Sequence, residues 1–187
     1  MIHKNFGAIP PQGALQDVDA RLRDAVAAGF PAVGALIAQH RNKAALAEVM
    51  PLGGEVNRYL TETEPYKLKD PADRDRQGTI LHVAAQAVAD LNVMMSPFLP
   101  HAANAVDEVL GGPGDVAAMP RIEEVTDLDD DTPYPIITGD YAVTQPWGPR
   151  TLPVGQSVAK PRPVFTKLDE SVIAEELARM GLEEEPA

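Results

Sequence analysis

Four residues past the middle of the chain, Gly111-Gly112-Pro113-Gly114, end one kind of sequence and begin another. A regular helix does not survive such a string, because glycine carries a high conformational entropy cost and proline lacks the amide hydrogen. Before it, residues 1–113 carry ten Lys and Arg against thirteen Asp and Glu, a net −3. Residues 114–187 carry six against fifteen, a net −9, with as many prolines in far fewer residues. The break divides a nearly neutral stretch that can be helical from an acidic, proline-rich stretch poor in helix signals. The two parts are expected to behave as separate units, 1–113 and 114–187. The 187 residues, 44% of them hydrophobic, are enough to bury one ordinary core with chain left over.

The first part carries the period of a helix. Leu15, Val18, Leu22 and Val26 form one stripe, with Asp17 and Asp19 in the first turn, where the helix dipole favours negative charge. Gly29 is expected to end this helix and Pro31 to open another, running to about His40. A further helix covers about Lys43 to Thr63, kinked or broken at Pro51-Leu52-Gly53-Gly54 and stopped by Pro65. The next starts after Asp70, a good cap before Pro71, and continues to about Ser96 with Ile80, Leu81, Ala84, Val88, Leu91 and Met95 as its stripe. A short one spans about His101 to Leu110. Helices joined by short connections, with no alternating runs among them, predict an all-α antiparallel bundle.

The second part predicts an irregular arm. Glu123-Glu124 and Asp127 to Asp131 read as a solvated acidic loop, and Tyr134 to Val143 as an edge strand or extended segment. Pro146, Pro149, Pro153, Pro161 and Pro163 keep the following stretch non-helical. A short terminal helix is expected at about 170–180. Tyr134, Tyr141, Trp147, Phe165 and Leu168 have no local core and are expected to pack on something outside the arm.

Much chemistry is missing. Cysteine is absent, which excludes disulfides, thiolate zinc sites and a cysteine nucleophile. There is no phosphate-binding glycine loop, no G-x-S-x-G elbow and no metal-ligand spacing among His3, His40, His82 and His101, which read as packing or surface histidines. No apolar run is long enough for a bilayer and no signal peptide opens the chain, so a cytoplasmic location is expected and a membrane partner is not. A net charge of −12 argues against a general nucleic-acid binder, DNA included.

One constellation points the other way. In Val56-Asn57-Arg58-Tyr59-Leu60-Thr61-Glu62-Thr63-Glu64-Pro65-Tyr66-Lys67-Leu68, a helix ends at Pro65 and Tyr66 emerges at its corner, beside Lys67 and Lys69. An aromatic ring there can stack an unpaired base while lysines meet phosphates. The Asn57 amide can read a base edge. The same residues can equally be structural, Tyr66 closing the helix end and Asn57 holding two helices together.

This segment resembles the N-x-Y-[IL]-x-x-x-x-P-[WY] motif of the anticodon-binding bundle of methionyl-tRNA synthetases. Ile2-His3-Lys4-Asn5-Phe6-Gly7 looks like the end of that domain's first helix, Pro97-Phe98-Leu99-Pro100 like its "PFLP" corner, and the stretch from Tyr134-Pro135-Ile136-Ile137-Thr138-Gly139-Asp140-Tyr141 to Phe165-Thr166-Lys167-Leu168-Asp169 like the actinobacterial-type C-terminal extension. The resemblance covers essentially the whole chain. It implies binding of a tRNA anticodon loop through Tyr66, Asn57, Lys67, Lys69 and Lys4, with tRNA and the catalytic domain of the same enzyme as partners. The family's usual tryptophan is replaced here by Tyr66. Its HIGH-like and KMSKS-like ATP motifs do not occur, and by this register its base-reading Asn and Arg would precede Met1. The expectation is a chain without catalytic residues, metal or cofactor of its own, the ATP and magnesium belonging to the catalytic domain. The bundle of another class I synthetase, or a free-standing helical protein-interaction module, are the competing readings.

Overall fold

The computed structural model describes residues 1–127, 132–139 and 146–181. Its elements are α1 (Ile2–Asn5), α2 (Asp17–Ala38), α3 (Asn42–Thr63), a 3-10 turn (Pro71–Asp73) leading into α4 (Arg74–Met95), α5 (Pro100–Val109), the strands β1 (Arg121–Thr126) and β2 (Pro133–Thr138), and α6 (Ser171–Arg179). The helical-bundle expectation holds, with α4 at its centre. Ile80, Val83, Ala84, Ala87, Val93 and Met94 of α4 meet Leu22, Val26, Phe30 and Val33 of α2 and Ala45, Val49, Val56 and Tyr59 of α3. Asp70 caps the approach to α4 as expected, accepting from the Ala72 N–H at 2.8 Å.

Gly29 and Pro31 do not divide α2, which runs through both. Proline removes one helical hydrogen bond, at a cost of about 3 kcal/mol in a helix interior. The burial of Phe30 and Val33 on either side, each worth about 1.5–3 kcal/mol, offsets it. Gly29 serves packing instead: a Cβ there would lie 2.6 Å from Leu52 Cδ1 of α3. Pro51 is likewise carried inside α3.

The two compositional parts interlock. Residues 7–9 run antiparallel to 155–158, with Ile9 N–H donating to Gln156 O (2.8 Å), Gly155 N–H to Ile9 O (2.9 Å) and Val158 N–H to Gly7 O (3.1 Å). A second core of Ile9, Ala85, Ala89, Leu110, Leu152 and Val158 lies beneath them. Trp147 packs edge-on against Phe30, ring centres 5.7 Å apart, and donates its indole N–H to Phe30 O at 3.0 Å. The aromatic residue expected to need an outside surface thus finds it on α2. The reason is polar as well as apolar. Asp90 accepts from Arg150 N–H (2.8 Å), Gln86 donates to Arg150 O, and the Arg150 guanidinium pairs with Asp107, which is fully buried. His3 and His82 bond the carbonyls of Val158 and Pro10, so they are packing histidines.

Beyond this belt the expectation of a loop fails at Glu123 and Glu124. They lie on β1, paired antiparallel with β2 in the register Ile122↔Ile137 and Val125↔Tyr134. β-Branched residues on either side of the two glutamates satisfy strand preferences that outweigh the charge run. Asp129 to Asp131, Asp140 and Tyr141 fall outside the described residues. Tyr134, Phe165 and Leu168 remain exposed, and α6 buries no residue. Among the described residues no helix is long and apolar enough to cross a membrane.

Candidate nucleic-acid interface

The motif residues separate into two that face inward and two that face outward. Tyr59 is buried and donates its hydroxyl to Asp19 Oδ1 at 2.6 Å. Asp19, fully buried, also takes both Arg76 guanidinium nitrogens, at 2.5 and 3.0 Å, and the Gln16 backbone N–H at 2.8 Å. Burial pushes the Asp19 carboxyl up, but Arg76, Gln16 and Tyr59 together bring it below its ordinary value. Burial and the neighbouring carboxylate drive the Tyr59 phenol upward. This network ties α2, α3 and α4 together. Asp19 does lie in the first turn of α2, as expected, and accepts from the N-cap backbone there, but no sequence pattern revealed that Arg76 and Tyr59 also converge on it.

α3 ends at Glu64, which adopts the left-handed conformation (φ +42°) and turns the chain back. Pro65 is fully buried, and Tyr66 then emerges 52% exposed. Gln77 of α4, unremarked in the sequence, holds this corner by donating its amide to Pro65 O (2.8 Å) and Leu68 O (2.9 Å), one carbonyl on each side of Tyr66-Lys67. The Tyr66 hydroxyl donates to Glu64 Oε1 at 3.1 Å. Tyr66 is therefore not a plug closing the helix end; Pro65 fills that place.

The cations are placed unequally. Lys67 is exposed but paired with Glu64 Oε1 at 2.7 Å, which lifts the lysine and lowers the glutamate from their ordinary values. Lys69 lines a cleft of about 350 Å³ with Asn5, Leu68, Asp70, Pro71, Arg74 and Gln77. Arg74, another residue the sequence reading passed over, lies 4.6 Å over the Phe6 ring and donates to Asn5 O at 3.2 Å. It thereby fixes the end of α1, which carries exposed Lys4, beside the Lys69 cleft. Asn57 is exposed on α3 and does not clamp two helices; it lies seven residues, or about 10 Å of helix, before Glu64. Tyr66, Lys67 and Lys69 thus share one corner and Lys4 adjoins it, while Asn57 stands two turns away. The arrangement offers an aromatic face on a fixed turn with cations on one flank, which suits an unpaired base and its phosphates.

No family model matches the chain. Curated relatives do. A methionine–tRNA ligase of a Nocardioides species is 56% identical over 180 residues, 96% of this chain and 30% of the relative. Those of Beutenbergia cavernae and Salinispora arenicola are each 52% identical, over 184 and 183 residues, again with 30% of the relative covered. The chain therefore spans about 30% of the length of the relatives it matches. Among solved structures, the apo form of Mycobacterium tuberculosis methionyl-tRNA synthetase superposes with a TM-score of 0.67 at 21% identity, over 90% of this chain and 30% of that one. Its complex with methionyl-adenylate gives 0.66 at 22% identity, over 89% and 28%. At those identities the likeness speaks for the fold.

Proposed function

Because the chain belongs to the methionine–tRNA ligase family, we propose that its helical bundle binds the anticodon loop of tRNA through the Tyr66 corner. The observation that carries this reading is the half-exposed Tyr66 ring on a turn fixed from behind by Pro65 and Gln77. A ring held in place stacks a base without first being ordered, and such a stack is worth about 1–3 kcal/mol. Lys69, Arg74 and Lys4 supply the positive flank, and Asn57 offers an amide to a neighbouring base edge.

Lys67 has a more particular role. It already holds Glu64, so a phosphate must displace that carboxylate to gain the ammonium. Removing Lys67 leaves Glu64 unpaired beside the RNA, whereas removing the Glu64 charge frees Lys67. In the complete synthetase, the bundle would hold the anticodon so that the acceptor end reaches the catalytic part. That part would bind ATP with magnesium, activate methionine and transfer it in the cytoplasm, where translation runs. The present residues contribute binding and orientation.

The test is titration of a methionine-anticodon stem-loop against a scrambled-anticodon control. Tyr66→Ala is expected to weaken binding by about 1–3 kcal/mol. Tyr66→Trp is expected to keep or improve it, and Glu64→Gln to strengthen it at low salt. Equal affinities for wild type and Tyr66→Ala, with the helical fold intact, would refute the role of Tyr66.

A further inference from the structure

Part of the positive charge on this chain is paired within it. Seven Lys and Arg side chains lie against a carboxylate. Among the described residues, the cations without a carboxylate contact group at two places. One is the corner just described, with Lys4, Lys69 and Arg74. The other is the α2–α3 turn, where His40, Arg41 and Lys43 line a shallow depression of about 460 Å³ with Asn42, Ala44 and Ala47. Arg121, Lys160 and Lys167 stand singly elsewhere, and Arg23 faces Asp90.

The turn also lies in the longest stretch of residues 1–113 without negative charge. No Asp or Glu occurs between Asp24 and Glu48. In a protein of net charge −12, a surface bearing two exposed, carboxylate-free cations and a histidine suits a polyanion. The α3 helix connects this turn to the Tyr66 corner. Its 22 residues span about 33 Å. Lys43, Ala47, Met50, Gly54, Asn57 and Thr61 recur every three or four residues along its exposed side. Lys43 and Asn57 therefore share one face, and that face runs from the turn to the corner without a carboxylate on the line.

We propose that the Arg41-Lys43 turn is a second tRNA contact, taking backbone phosphates of a stem about 30 Å from the base stacked on Tyr66. It rests on the reading that the chain binds tRNA at the corner. Two such contacts would set the direction of the RNA along α3, which one stacked base does not. Cations meeting phosphates carry no base preference, so the turn adds affinity and orientation without adding specificity.

The experiment compares full-length methionine tRNA with a hairpin carrying the same loop on a three-base-pair stem. At about 3.4 Å of strand per nucleotide, the short stem covers roughly 10 Å and stops short of the turn. The double variant Arg41→Gln/Lys43→Gln is expected to bind full-length tRNA several-fold more weakly at about 0.1 M salt. It should also flatten the dependence of log affinity on log salt by between about 1 and 2, because roughly 0.7–0.9 of a counterion is released per phosphate contact. Binding of the short hairpin should be unchanged. The matched variant Lys160→Gln/Lys167→Gln, which removes the same charge from the C-terminal part, should leave both ligands unaffected. Wild-type affinity and slope for the turn variant with full-length tRNA would overturn the inference. So would equal losses in the two double variants, or an equal loss for the short hairpin. If the hairpin fails to bind wild type but full-length tRNA remains sensitive to Arg41 and Lys43, the corner reading falls and the turn contact stands.

Discussion

Arg76→Met isolates the electrostatic part of the network that holds the bundle beneath the Tyr66 corner. It keeps most of the side-chain stem and removes the charge. Asp19 is then a fully buried carboxylate with only the Tyr59 hydroxyl and the Gln16 N–H as donors. Breaking a buried pair by removing one partner costs about 3–5 kcal/mol. The Arg76 side chain is 22% exposed, so solvent already screens part of the pair, and the lower end, about 3 kcal/mol at pH 7, is expected. The pH dependence gives the sharper test. In the wild type the Asp19 carboxyl is held below its ordinary value, so its contribution is present above the unfolded carboxylate pKa of about 3.9 and is lost as pH falls through the folded value. In the variant, burial acts with less opposition and lifts the carboxyl, so the folded state takes up a proton and stability falls as pH rises. The gap between wild type and variant should thus be small near pH 4 and widen toward pH 7. Urea unfolding followed by circular dichroism at the two pH values measures it. Adding Asp19→Asn should recover part of the loss at pH 7. A gap under about 1 kcal/mol, or one that does not change with pH, would refute the assignment of a charged Asp19 to this network.

Gly34→Ala would place a Cβ 2.7 Å from the Trp147 indole nitrogen, so the arm should lift from α2 at a cost of about 1–3 kcal/mol, with a red-shifted emission from the single tryptophan. In limited trypsin digestion, cleavage after exposed Lys167 and Arg179 should precede cleavage after Arg150, whose side chain is 14% exposed and engaged with Asp107. Gln77→Ala removes both hydrogen bonds to the corner and should cost about 1–3 kcal/mol of stability while weakening hairpin binding more than the Lys160→Gln/Lys167→Gln control does.

The helices were legible because their period and their stop signals coincide: Asp70-Pro71 and Pro65 act locally, and the structure obeys them. Gly29-Pro31 misleads because the decision there is tertiary. Phe30 and Val33 are core residues, and their burial carries the helix through two locally unfavourable residues. The arm's partners were hidden for a related reason. Trp147, Leu152 and Val158 have no partners near them in sequence, yet Phe30, Ile9 and Ala89, more than sixty residues away, receive them. At the corner, the sequence placed Tyr66 just past the helix end but left open whether it faced outward or closed that end. The backing by Gln77 and the meeting of Asp19, Tyr59 and Arg76 depend on three helices crossing, which no single-helix period encodes.

Hydrogen exchange with and without methionine tRNA tests the central claim most directly, because it locates the contact without altering a residue. The account predicts added protection in peptides covering residues 64–74 and the end of α1, lost when Tyr66→Ala is used at the same concentrations. Protection confined to the β1–β2 hairpin or to α6, with the Tyr66 corner exchanging as in the free chain, would contradict it.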